Sequence, residues 1–241
     1  MCNVAAALFL LLAAGCSIPA GAEIRAEKFS FNIEWRLIRA GVAVMELKPG
    51  EARVNLDSAG LVSTLFKVSD KYAVRYDPPL CATSSLLDAQ EGKRHRETAI
   101  TFDRAQNRAT FILRDVLKNM VLRTEQTEIP NCVHDVVGAI QALRTAPPQI
   151  GQPGTIPVSD GRKSAQVKVE AQEREDVTTP AGAFKTIRYE ADLFNGVVYM
   201  RKGRAFVWLT DDARRLPVQM KLRMSFPLGT VTLLLDREEQ P

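Results

Sequence analysis

From Phe29 the chain alternates strictly, with Phe29, Phe31, Ile33, Trp35 and Leu37 on one side and Ser30, Asn32, Glu34 and Arg36 on the other. A period of two makes an extended segment into a strand with one apolar face and one wet face. The pattern breaks at Arg39-Ala40-Gly41, resumes over Val42 to Leu47, and turns at Lys48-Pro49-Gly50-Glu51 into Arg53 to Ser58. That is the grammar of an antiparallel meander.

It repeats almost to the C-terminus. Apolar segments at 66–68, 72–76, 98–102, 109–113 and 120–123 are separated by 69–71, 77–79, 103–107 and 115–119. Those breaks are rich in proline, which fixes φ, and in Asp and Asn, whose side chains cap nearby backbone. After a loop around Pro153 to Pro157, strands are expected at 165–172, 184–190, 197–201, 205–210, 216–224 and 230–235. Asn195-Gly196 reads as a hairpin turn, because both residues accept positive φ.

One segment departs from period two. Val133, Val136, Val137, Ile140 and Leu143 recur at steps of three and four between Asn131, a good N-cap, and Arg144, with Pro147-Pro148 as the stop. The spacing predicts a helix from about Asn131 to Arg144 that plugs or covers one open end of the sheet. Gly138 inside it costs about 1 kcal/mol of helix propensity and points to close packing on a strand. The fold class that results is all-β, a highly curved antiparallel meander or partly open β-barrel with one short helix. Phe29, Phe31, Trp35, Phe102, Phe111, Tyr189, Phe206 and Trp208 are expected in its core. A sheet that closes only partly keeps a space among such residues, suited to an acyl chain or other apolar ligand.

Residues 1–22 carry no charge, and their apolar run from Val4 to Ala14 is too short to span a bilayer, which takes about 20 residues. They read as a signal peptide, followed by one β-rich domain over 23–241. Ala13-Ala14-Gly15-Cys16 resembles a bacterial lipobox, which would place lipid on Cys16; Ala20-Gly21-Ala22 offers an ordinary cleavage site instead. Export to the periplasm or outer membrane follows, with membrane contact through the lipid anchor. Apolar residues at 46% suffice for a substantial core, and the formal charge of +4 is spread rather than clustered, which speaks against nucleic acid as a partner.

Export also sets the reading of Cys81 and Cys132, the two cysteines outside the leader. An isolated pair reads first as a disulfide, worth roughly 4 kcal/mol for a loop of this size. His95 and His134 would complete a Cys2His2 set, yet neither C-x-x-C nor H-x3-H spacing is present, and no metal site is assigned. No G-x-S-x-G, Walker, G-x-G-x-x-G or H-E-x-x-H motif occurs, so no catalytic residue and no cofactor is assigned. Asp211-Asp212 beside Arg214-Arg215 could serve as an acid/base pair with an anion clamp. They lie between two segments of strand period, however, where Asp opens turns and surface pairs contribute about 0 to 1 kcal/mol. A charged turn is the reading taken.

Four stretches carry a family resemblance: F-x-I-x-W-R-L-I-R-A-G-V-A, D-V-V-G-A-I-Q-A-L-R, V-T-T-P-A-G-A-F-K-T-I-R-Y-E and W-L-T-D-D-A-R-R-L-P-V-Q-M. In their order they resemble the exported bacterial family called domain of unknown function 3108. Trp208, Asp211, Asp212, Arg214, Leu216 and Pro217 match its turn signature, and Gly182 and Phe184 match its hairpin. The resemblance implies a β-rich envelope protein with no catalytic residues to carry over. The function expected is binding of a lipid or other apolar or amphiphilic ligand, or of envelope proteins or polysaccharide during assembly. The alternatives are an interaction module with a filled core, lacking a cavity of roughly 300 Å3, and a hydrolase using Asp211 or Asp212.

Overall fold

The computed structural model describes residues 26–225 and 229–239; the leader, 1–22, and Cys16 lie outside them. Among the described residues there are fourteen strands: β1 (Glu27–Trp35), β2 (Ile38–Lys48), β3 (Glu51–Ser58), β4 (Val68–Asp77), β5 (Cys81–Glu91), β6 (Arg94–Asp103) and β7 (Arg108–Asp115). The second half holds β8 (Met120–Glu128), β9 (Gly154–Ser159), β10 (Ser164–Thr179), β11 (Gly182–Ala191), β12 (Gly203–Thr210), β13 (Pro217–Met224) and β14 (Thr230–Glu239). Two helices interrupt them, α1 (Gly60–Leu65) and α2 (Val136–Thr145).

All strands join one antiparallel sheet in the order β8-β7-β6-β5-β4-β3-β2-β1-β14-β13-β12-β11-β10-β9. Each half is a plain meander, and the halves meet where β1 pairs β14. The two edges do not pair with each other, so the sheet is curled but not closed. Contacts across the seam show the curl: the Arg162 guanidinium, in the β9–β10 turn, lies 5.3 Å from the ring centre of Phe111 on β7. Gly161 in the same turn is pressed against Ile100 on β6, leaving no room for a Cβ. Period-two alternation accounts for the packing. Phe29, Phe31 and Ile33 point inward together, and on the neighbouring strand β2 the buried Met45 and Ala43 stand directly beside Phe29 and Phe31.

Several sequence expectations need correction. The helix starts at Val136 with Asp135 as N-cap, not at Asn131. Val133 fits the helical spacing but sits in an extended segment, where its carbonyl accepts from Ala82 N at 2.8 Å. His134 likewise bridges to β9, donating from its amide to Pro157 O at 2.9 Å and accepting from Ser159 N at 3.0 Å. Residues 69–71 do not break a strand, because β4 runs through them. β5 is a full strand that Ser84, Ser85 and Asp88 hide from an apolar count. The expected loop at 153–157 is mostly β9, whose edge position tolerates Pro157. Asn195 and Gly196 do adopt positive φ, yet within an irregular connection, 192–202, rather than a two-residue hairpin, and 197–201 forms no strand.

Of the eight aromatics expected in the core, seven are buried and Trp35 is 38% exposed. Phe206 and Trp208 reach burial by a different route. They lie on the β12 face opposite Val207 and Leu209, and cations cover them: Arg204 and Arg223 over Phe206, Lys221 over Trp208. The Trp208 indole donates to Glu175 at 2.7 Å.

Candidate functional site

The disulfide between Cys81 and Cys132 is formed, with Cα atoms 5.0 Å apart. It ties the segment leading into α2 to the start of β5, and that segment delivers Asp135 to the interior. The Asp135 carboxylate accepts from the amides of Val137 (3.0 Å) and Gly138 (2.9 Å), capping the helix. It also accepts from the hydroxyls of Tyr76 (2.7 Å) and Tyr72 (2.9 Å), which stand four residues apart on the inward face of β4. Burial, reinforced by the Asp135 charge, raises both tyrosine pKa values far above the ordinary range, so the hydroxyls remain donors. Gly138 has no side chain because the Tyr76 ring occupies its place: a Cβ would stand 2.8 Å from Cε1. The strand contact expected at Gly138 is therefore present. His134 is buried and satisfied, its Nδ1 lying 2.9 Å from Leu80 O, and burial lowers its pKa, leaving it neutral.

Held this way, α2 divides the space inside the curled sheet. On the side of β9 to β14 is a narrower, almost wholly apolar cavity of about 170 Å3, lined by Ile140, Leu143, Val167, Val207 and Met220 among others. On the side of β3 to β7 is a wider cleft of about 540 Å3. Its walls are Val54, Leu87, Ile100, Phe111, Leu113 and Val137, and Tyr72 and Asp135 form its polar floor. The cleft continues past Asp160, Arg162 and Tyr199 into a hollow of about 530 Å3 at the seam, edged by Lys163, Arg201 and Arg123, the last paired with Glu125, so cations outnumber acids there. Burial pushes the Tyr199 hydroxyl up to about 12, so it too is a neutral donor. Arg162, between the two spaces, is oriented by Asp160 at 2.7 Å and by the Phe111 ring. An apolar channel thus leads to a cationic mouth.

The residues singled out by sequence lie elsewhere, at the opposite end of the barrel. Asp212 organises the β12–β13 turn, its Oδ1 accepting from Thr210 Oγ1 (2.8 Å) and the amides of Arg214 (2.9 Å) and Arg215 (3.1 Å). Partial burial pushes its pKa up, but these donors outweigh it and hold the carboxylate below the ordinary range. Asp211 pairs with Arg174 at 2.7 Å, and Arg214 pairs with Glu238. Leu216 and Pro217 are buried beneath the turn. Gly182, at φ +134°, closes the β10–β11 hairpin, and Phe184 follows half-buried. Both segments lie at corners between strands. Sequence reasoning missed Asp135 with Tyr72 and Tyr76; the one available signal was an Asp immediately before V-V-G, a better-placed cap than Asn131.

No helix among the described residues is long and apolar enough to cross a membrane. A β-barrel-like protein of domain of unknown function DUF1849 from Brucella abortus is similar in structure, with a TM-score of 0.60 at 8% identity, covering 91% of this chain and 99% of that one. Two others overlap more loosely. A DUF1089 family protein from Pseudomonas aeruginosa has a TM-score of 0.41 at 13% identity, covering 76% of this chain and 90% of its own. A protein from Bacteroides fragilis described as exported, with a YmcC-like fold, has 0.34 at 13% identity, covering 90% and 97%. No curated protein matches the sequence. The profile of the family described as "Protein of unknown function (DUF3108)" matches residues 30–236, and the chain belongs to that family.

Proposed function

We propose that this is an exported envelope protein, anchored by lipid on Cys16, that binds an amphiphilic ligand in the cleft beside α2 without transforming it. The observation that carries the reading is the join between an apolar cleft of about 540 Å3 and a cationic hollow of about 530 Å3 through Arg162 and Tyr199. Small-molecule sites run to about 300–1,000 Å3 and pair apolar walls with a few placed polar groups. An acyl or similar tail fits between Ile100, Phe111, Leu113 and Val137, and an anionic head fits against Arg162, Arg123 and Arg201. A filled core would leave no such volume. The Asp211-Asp212 turn offers no apolar cleft to raise a carboxylate pKa for acid catalysis.

Native mass spectrometry of protein purified from its own host tests this, together with displacement of a fluorescent fatty acid. The expected results are added lipid mass on Cys16, a non-covalent ligand of lipid size, and saturable probe uptake. Leu113→Trp, which fills the cleft away from the helix, should reduce uptake at least tenfold with the fold intact. A bare chain and no probe uptake in the unaltered protein would refute the proposal.

A further inference from the structure

In a meander of antiparallel strands the connections alternate between two ends, and here the ends differ in chemistry. One end carries the connections 36–37, 59–67, 92–93, 116–119, 160–163 and 192–202. On them, Leu37 is 91% exposed and Leu65 85%, with Leu61 and Phe66 beside Leu65 also exposed. Helix α1 buries none of its residues, so these side chains are not held out by a demand of the core. Two contacts tie these connections together: Ala59 N donates to Ala40 O at 2.8 Å, joining the start of α1 to β2, and the Phe66 ring covers Gly92 in the β5–β6 turn. Leu117 and Met200 add exposed apolar surface from two further connections at this end.

Charge follows the same division. The six connections named hold eight lysines and arginines, against only Asp160 and Asp192 as acids. At the other end, the turns at 49–50, 78–80 and 180–181 carry no charge, 104–107 holds the single cation Arg104, and 211–216 holds two of each sign. We infer that the open end of the barrel is a docking surface for an anionic lipid bilayer: the rim cations meet lipid phosphates while Leu37, Leu61, Leu65 and Phe66 enter the headgroup layer. The occupant is a bilayer because the apolar tips project from several separate turns around a mouth, which suits a deformable plane and forms no groove for a peptide. Apolar side chains flanked by cations are the combination that binds such an interface. This contact adds to any lipid anchor; Arg162, Lys163 and Arg201 also edge the ligand mouth, so the variants that test it are placed on the other connections.

Tryptophan quenching by brominated lipids tests it on the full chain. Trp35 sits at the rim, 38% exposed, whereas Trp208 is 4% exposed. Vesicles of brominated phosphatidylglycerol should quench the fluorescence and brominated phosphatidylcholine should not. Lys67→Gln with Lys93→Gln should weaken apparent affinity about 30-fold, from roughly fivefold for each cation near an anionic surface. Leu37→Glu with Leu65→Glu should abolish quenching while leaving circular dichroism and fatty-acid uptake unchanged; Leu37→Ser with Leu65→Ser gives the same readout without added charge. Quenching that survives the leucine variants, or is absent in the unaltered chain, or is equal on both lipids, would overturn the inference. Lost fatty-acid uptake with retained quenching would refute the cleft reading and not this one.

Discussion

Arg144 and Arg215 each donate to the other's backbone: Arg144 Nε to Arg215 O at 3.0 Å, and Arg215 Nη1 to Arg144 O at 2.8 Å. Arg215 also reaches Thr145 O at 2.9 Å, so it satisfies two of the carbonyls that the C-terminus of α2 leaves without helical partners. Arg144 completes the joint with a two-pronged pair to Glu27 at 2.7 and 2.9 Å, its guanidinium lying over the Phe29 ring. The turn carrying the family signature therefore serves as the socket for the helix that partitions the interior.

Arg144→Met should destabilise the fold by about 3 kcal/mol, because it leaves the Glu27 carboxylate partly buried without its partner. Adding Glu27→Gln should recover part of that loss. Urea unfolding of the two single variants and the double variant measures the coupling, and simple additivity would show the joint to be unimportant.

Asp135→Ala should cost about 3 kcal/mol, combining loss of a helix cap with two buried tyrosine hydroxyls left unmatched. Tyr72→Phe in the same background should cost less than it does alone, since its partner is already gone. Equal costs in both backgrounds would mean the network is not cooperative.

Gly138→Ala reverses a general rule. In an ordinary helix interior this change stabilises by about 1 kcal/mol. Here the new methyl would meet Tyr76 Cε1 at 2.8 Å and Asp135 Oδ1 at 2.9 Å, both fixed by the network just described. The expected outcome is destabilisation of about 2 kcal/mol. A raised melting temperature would show that α2 can slide away from β4.

Much of this was legible in sequence because half-buried strands advertise themselves: the alternation at Phe29 to Ile33 and the Pro-Gly turn at 49–50 appear where read. What failed did so for local reasons. Val133 satisfies a helical spacing while lying in an extended bridge, so periodicity alone could not separate the two. β5 carries Ser84 and Ser85 on either face, which erases its pattern. The site was less legible than the fold. Asp135, Tyr72 and Arg162 are 63 and 27 residues apart in sequence, measured from Asp135, and only the curl of the sheet brings them to one cleft.

Asp70 should make stability depend on pH. Burial, then the nearby charges of Glu91, Asp88 and Asp57, raise its pKa from about 3.8 to about 6 despite a hydrogen bond from Gln90 N. A folded-state value above the unfolded one means the stabilising protonation is complete below about 3.8 and is lost as pH rises through about 6. At pH 8 the ionised carboxylate therefore opposes folding. Asp70→Asn keeps an acceptor for Gln90 N and removes the charge. It should stabilise by about 1 kcal/mol at pH 8, the full effect of the shift being reduced by solvent screening at a half-exposed side chain. Near pH 3.5 the same substitution should change little, because Asp70 is already neutral. Paired urea titrations at the two pH values decide the matter: a gain of equal size at both would assign the effect to something other than the Asp70 proton.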